Sequence, residues 1–204
     1  LHGCGNSTTS QEYRLALQSF GDIVRPADSL PPDAVGRASF QMVPGPLIFV
    51  TLPEFAVAAP MVPFGENAGV RTWSTAEKQT LTIRRGIMTS TRGLGDDLMQ
   101  SATGPVANAL AAGSGRDVAR TTWHLDGNDR LIERLFACGL RTEGRETITL
   151  VSGQSLAATR VSEDCATEGV SFQNTYWKDE SGTVRRSRQW VSPIVGYATI
   201  EVLR

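Results

Sequence analysis

From Val118 to Arg204 the chain is written in short runs of alternating apolar and polar residues: "VARTTWHLD", "LIERLFACGL", "ETITLVSGQSLAATRVSEDC", "VSFQNTYWKDESGTVRRSRQWVSP" and "GYATIEVLR". A period of two places successive side chains on opposite faces of a strand, so each run offers one face to a core and one to water. The breaks between them, "DGND", "TEG", "SG", "DESG" and "SPIVG", carry the Gly, Asp, Asn and Pro of tight turns. In "QTLTIRRGIMTST", Leu81 and Ile83 alternate with Thr80, Thr82 and Arg84, and Gly86 marks a hairpin turn or bulge. Strands so short and regular predict a mainly β fold, a single antiparallel β-sandwich or barrel-like domain with one or two short helices.

The helices have two candidate places. "SQEYRLALQSF" starts on Ser10, ends at Gly21 and carries Tyr13, Leu15, Ala16 and Leu17 between. "SATGPVANALAAGSGRD" is the alanine-rich stretch and suits a short helix or a surface loop. From Pro26 to Pro63 the prolines favour strands with abrupt turns. "GPLIFVTLPEFAVAAPMVPF" is broken by Pro53, Pro60 and Pro63 and reads as core strands, since no run of about eighteen apolar residues occurs. With 204 residues and no break in composition, one domain is expected over residues 11–204, preceded by a polar tether within residues 1–10.

Charge narrows the partners. Twenty Lys and Arg face 21 Asp and Glu, which leaves no global field for nucleic acid. There are three cysteines, an awkward number for a disulfide framework. "LHGC" followed by "GNSTTSQ" looks like the end of a bacterial lipoprotein signal peptide and a flexible tether, with Cys4 as the acylated residue; a plain surface cysteine is the alternative. Setting Cys4 aside leaves Cys138 and Cys165. Bridged, they close a loop of roughly 28 residues, worth about 3 to 4 kcal/mol on the chain-entropy model, in an oxidising compartment. Unbridged, they are buried thiols of a cytosolic protein.

Catalytic chemistry finds little purchase. Of two histidines, His124 stands beside Asp126 and Asp129, but no Gly-x-Ser-x-Gly pattern supplies a nucleophile, and a multi-histidine metal site cannot be assembled. Asp96 and Asp97 are neighbours that point to opposite faces of a strand. The "DGND" acids suit a turn. "RGLGDDL" and "AGSGRD" lack the full dinucleotide and phosphate-loop fingerprints, so no cofactor is expected. Arginine beside aromatics is more suggestive. In "VRRSRQWV" strict alternation puts Arg186, Arg188 and Trp190 on one face. With Arg84, Arg85 and Arg92 they form a candidate polysaccharide or partner surface, guanidinium forks meeting carboxylates and indole meeting sugar. The plainer alternative makes the tryptophans core residues with arginines snorkelling over them.

"FQNTYWKDESGTVRRSRQWVSPIVGYATIEVL" resembles the closing segment of the YjbF-like (GfcB) lipoprotein family of group-four capsule and exopolysaccharide operons. "LTIRRGIMTSTRGLGDDLM" resembles that family's other marked stretch, and the likeness runs from about Phe20 to Arg204. The resemblance implies a β-rich outer-membrane lipoprotein facing the periplasm, without enzymatic activity, that assists export or assembly of polysaccharide. It implies partners among the products of the same operon, including an outer-membrane β-barrel protein. It maps the acylation position onto Cys4, where Gly5 lacks the aspartate of inner-membrane retention, and carries over no catalytic residue. The second reading is a carbohydrate-binding module that grips an acidic polymer through the Arg and Trp surface.

Overall fold

The computed structural model describes residues 40, 42–126 and 128–204. Cys4, the tether and the helix expected over residues 10–20 lie outside these. Twelve strands form one antiparallel sheet: β1 Ile48–Leu52, β2 Val57–Asn67, β3 Val70–Ser74, β4 Thr80–Arg84, β5 Ile87–Arg92, β6 Leu98–Ala102, β7 Ser114–Leu125, β8 Leu131–Thr149, β9 Ser155–Thr167, β10 Val170–Lys178, β11 Val184–Ser192 and β12 Gly196–Val202. A helix, α1 (Gly104–Ala112), falls in the alanine-rich stretch, with Pro105 in its first turn and Gly113 as its left-handed C-cap. The sheet order is β5-β4-β3-β2-β1-β12-β11-β10-β9-β8-β7-β6. Every neighbour in it is consecutive in sequence except β1 and β12, which pair with each other. The sheet therefore curls into a nearly closed barrel with its seam between β5 and β6.

That seam is stitched by side chains. Thr91 Oγ1 accepts from Leu98 N at 3.0 Å, and the Arg92 guanidinium donates to the carbonyls of Leu98 and Met99 at 3.3 and 3.2 Å. Asp97 shapes the connecting loop, taking Thr91 Oγ1 at 2.8 Å and Gly93 N at 2.8 Å. Turn chemistry sits where the sequence placed it in most cases. Arg85 and Gly86, at φ 52° and 82°, make the β4–β5 turn. Asp126 Oδ1 accepts from Asn128 N and Arg130 N, and Asp179 Oδ1 from Ser181 N and Thr183 N.

Two stretches depart from the sequence reading. "TEG" at Thr142 to Gly144 is not a turn but a bulge within the 19-residue β8, where the pairing with β9 slips and Gly144 takes φ 149°. Beyond it the β8–β9 hairpin bends. Its tip lies on the outer face of β11 and β12, where Ile148, Leu150 and Ala158 pack with Phe49 and Leu203. Pro60 and Pro63 lie inside β2 rather than between strands. Residues 57–61 pair with β1 alone and residues 62–67 with β3 alone, so each proline has a strand on one side only. β2 is thus the corner at which the sheet turns.

The barrel interior is apolar at both ends and polar across its middle. Arg120 on β7, 1% exposed, donates Nη1 to both carboxylate oxygens of Glu163 on β9 at 3.0 Å, and Glu163 is 0% exposed. Asn174 Nδ2 and Tyr176 Oη on β10 also donate to Glu163 Oε2, at 2.7 and 2.6 Å. Gln189 on β11 continues the line. Its Oε1 accepts from Met88 N at 2.9 Å and its Nε2 donates to Gly86 O at 3.0 Å, so an amide side chain pairs with β5 across the interior. Gly86 is required there twice over: its φ is positive, and a Cβ would stand 2.5 Å from Val184 Cγ2. Burial alone would lower the Arg120 guanidinium, but the charge of Glu163 holds it above its ordinary value. Burial, then Glu163, push the Tyr176 phenol well up. Glu163→Gln should cost about 3–5 kcal/mol in urea melts, since it strands a buried guanidinium. A loss under about 1 kcal/mol would show that the pair does not organise the interior.

Candidate functional site

The residues of the candidate polysaccharide surface are not gathered into one groove. Arg92 is spent on the seam. Arg84 is exposed at the end of β4, and Arg85 sits on the turn after it with Nη1 donating to Asn108 Oδ1 at 3.0 Å. Arg186, on the outer face of β11, is a latch. Its Nε donates to Glu201 Oε1 at 2.6 Å and its Nη2 to Thr149 O, while Glu201 Oε2 accepts from Val151 N at 2.6 Å. This pair holds the folded-over tip of the β8–β9 hairpin. Arg188 is exposed and lies over the Tyr197 ring at 3.4 Å.

Trp190 is not on the surface that strict alternation assigns it. It is 7% exposed and stacks on Phe172 with centroids 4.7 Å apart and planes 6° off parallel. The cause is local. β10 and β11 pair only as far as Thr175 and Arg188, and beyond that point side chains fill the gap between strands: Trp190 N donates to Asn174 Oδ1 at 2.7 Å, and Gln173 N to Tyr197 Oη at 3.2 Å. The parted strands admit the indole to the aromatic cluster of Phe136 and Phe172.

His124 is 3% exposed, with Nε2 2.8 Å from Val191 O and its ring edge-on to Trp190. That geometry makes Nε2 the protonated nitrogen. Nδ1 has no partner among the described residues, and Asp126 is occupied by its turn, so no carboxylate orients the imidazole as a triad requires. Cys138 and Cys165 face each other across β8 and β9 and are joined, S–S 2.05 Å. Cys165 Sγ lies 3.3 Å from Glu163 Oε1, so the bridge abuts the buried ion pair.

Chemistry gathers instead at one mouth of the barrel. The β2–β3, β4–β5 and β10–β11 turns and the C-terminus of α1 surround a cavity of about 420 Å³. Ile48, Ile83, Val184 and Val202 give it an apolar floor, and Arg71, Arg85, Lys178 and Glu66 line it with charge. Period two along β3 puts Arg71 and Trp73 on the same inward face. Arg71 Nε and Nη2 donate to Glu66 Oε2 at 2.8 and 2.7 Å, and its guanidinium lies 5.6 Å from the Trp73 ring centre. Trp73 is 5% exposed, and its indole N–H has no partner among the described residues. Lys178 Nζ donates to the last helix carbonyls, Leu110 O at 2.6 Å and Ala111 O at 3.4 Å, and burial lowers its pKa. The opposite mouth is apolar, a cavity of about 230 Å³ lined by Val50, Leu52, Phe55, Met61 and Leu81. Of the expected surface residues, only Arg85 reaches the polar mouth. The signal for the others was present in "VRTWS", a cation and an indole two residues apart.

The family model of the group 4 capsule polysaccharide lipoprotein, gfcB or YjbF, matches residues 28–203. The chain belongs to this family. The GfcB/YjbF fold is also that of the hypothetical lipoprotein YmcC from Escherichia coli K12, which superimposes with a TM-score of 0.74 at 19% identity over 99% of this chain and 98% of that one. No curated protein sequence matches. Family membership relates the chain to group 4 capsule polysaccharide, and the family is not a known enzyme family.

Two outcomes follow from the placed residues. Arg186→Ala should destabilise by about 2 kcal/mol, by stranding the largely buried Glu201 and freeing the hairpin tip, whereas Arg188→Ala should cost under about 1 kcal/mol; equal melting curves would contradict the latch. Burial lowers the pKa of His124, opposed by its bond to Val191 O, helped by Arg134 and opposed by Asp96. The folded protein then binds fewer protons than the unfolded chain below about pH 6.5, so stability falls as pH drops through that value and levels off below the folded pKa. The slope should shrink in His124→Gln. An unchanged slope would assign it to other groups.

Proposed function

We propose that this GfcB/YjbF protein is a lipid-anchored periplasmic accessory factor for export or assembly of group 4 capsule polysaccharide, acting without catalysis. Cys4 would hold it at the periplasmic face of the outer membrane, where other products of the same operon, an outer-membrane β-barrel protein among them, would be its partners. The observation that carries this reading is the family match over residues 28–203, together with Cys4 in a lipobox-like setting. The Cys138–Cys165 bridge supports an oxidising compartment. Among the described residues no helix is long and apolar enough to cross a membrane. Three acyl chains hold a protein firmly where one binds reversibly. The tether then raises the local concentration of the barrel near a membrane partner.

Intact mass spectrometry of the membrane fraction, from cells making the protein with its own signal peptide, should give a mass beginning at Cys4 with three acyl chains and two hydrogens missing until reduction. Deletion of the gene should reduce surface polysaccharide, with Cys4→Ser reproducing the loss. An unacylated chain in the soluble fraction, or unchanged surface polysaccharide after deletion, would overturn the proposal.

A further inference from the structure

We infer that the polar mouth of the barrel is a binding site for an acidic sugar, a pyranose bearing a carboxylate, within a polysaccharide chain. The inference rests on the capsule-related reading above and gives it a place on the molecule. Three cations, Arg71, Arg85 and Lys178, line one cavity with a single acid, Glu66, which is already paired with Arg71. Two positive charges are left without a carboxylate partner among the described residues. Each retains unused donors. The Lys178 ammonium gives two of its three N–H groups to helix carbonyls, and the Arg85 guanidinium gives one to Asn108. A carboxylate entering the mouth would complete them with charge-assisted bonds.

The sugar part is argued from the walls. Ile48, Ile83, Val184 and Val202 form an apolar floor beside the cations, and Trp73 lines the same cavity. A pyranose joins an apolar ring face to polar hydroxyls, and so fits a cavity that is apolar below and charged at its rim. The volume of about 420 Å³ lies within the roughly 300–1,000 Å³ of small-molecule sites. The mouth is open to solvent between three turns, so a sugar could enter as one unit of a longer chain.

The same site differs from the Arg and Trp stripe of the sequence reading in both place and composition. Its cations come from β3, the β4–β5 turn and the end of β10, and its aromatic residue is Trp73 rather than Trp190. The test is titration calorimetry of the full chain with trigalacturonic acid, with neutral maltotriose and with inorganic phosphate, on the native protein and two variants. Arg85→Asn suits the left-handed φ of 52° at that turn and should leave the fold unchanged. Lys178→Met removes the second cation that lacks a carboxylate partner. Binding of the acidic trisaccharide alone, weakened about tenfold by Arg85→Asn and about tenfold by Lys178→Met, is the expected result. Absence of acidic-sugar binding would overturn the site. So would binding indifferent to both variants, or phosphate bound as tightly as the sugar. Melting curves identify a Lys178→Met protein that has lost its fold, and Arg85→Asn then decides. In cells, deletion that reduces surface polysaccharide while Arg85→Asn does not would sink the site and leave the proposed function standing. Deletion without effect would sink the function whatever the titration shows.

Discussion

A guanidinium and a carboxylate closed off from water in the middle of a β-barrel are the constraint around which this molecule is arranged. Arg120 and Glu163 hold each other because a charge left alone in the interior would cost more than the pair does, and the neighbours add bonds to the carboxylate, while Arg120 Nε has no partner among the described residues. Asn174 and Tyr176 complete Glu163, and Gln189 carries the line of polar groups to the backbone of β5. The consequence is geometric. β5, one border of the open sheet, is tied to β11 on the far wall, so the sheet closes even though β5 and β6 share no ladder. The Cys138–Cys165 bridge fastens β8 to β9 beside the same pair.

Much of this architecture is written locally and much is not. The alternation in "QTLTIRR" and "VSFQNTYW" marks strands because each residue there obeys a face, and Asp126 and Asp179 mark turns because their carboxylates bond the backbone within four residues. Such features need no knowledge of the rest of the chain. Arg120 and Glu163 are 43 residues apart, and neither looks different in sequence from the surface Arg141 or Asp164. Only the closure of the sheet decides which is buried. Trp190 misleads for a related reason. Its alternation is sound as far as Arg188, but the parting of β10 from β11 depends on the Asn174 side chain occupying the backbone N–H of a neighbouring strand. "TEG" carries turn composition and forms a bulge because a long hairpin has to bend at that point to lay Ile148 and Leu150 on the outer face.

The candidate surface shows how arginine is used once a sheet is charged on its outside. Arg186, Arg92 and Arg141 each have partners that serve the fold: a latch on a hairpin tip, carbonyls at the seam, and the acids Glu143 on the same strand and Asp164 on the neighbouring one. A count of arginines in the sequence therefore overstates the charge free to meet a ligand. At the polar mouth the count runs the other way. Glu66 answers only one of three cations, and the surplus is confined to a concave site with low-dielectric walls, where a charge is felt more strongly than on an open face.

The filled interior also restricts where binding can occur. A polar column crossing from β7 to β5 leaves the barrel no lumen along which a polymer could thread, so a ligand has access to the two mouths and the outer wall. The mouths differ in chemistry: one is apolar, the other cationic. The cationic mouth is assembled largely from turns and strand ends, remote in sequence and clear of the Arg120–Glu163 pair. Substitutions at Arg85 then change the charge of the mouth without disturbing the bonds that close the sheet. The bonds that close the sheet and the charge of the mouth are thereby separable in this fold: Arg120, Glu163 and Gln189 hold the sheet, while the rim residues Arg85 and Lys178 set the charge.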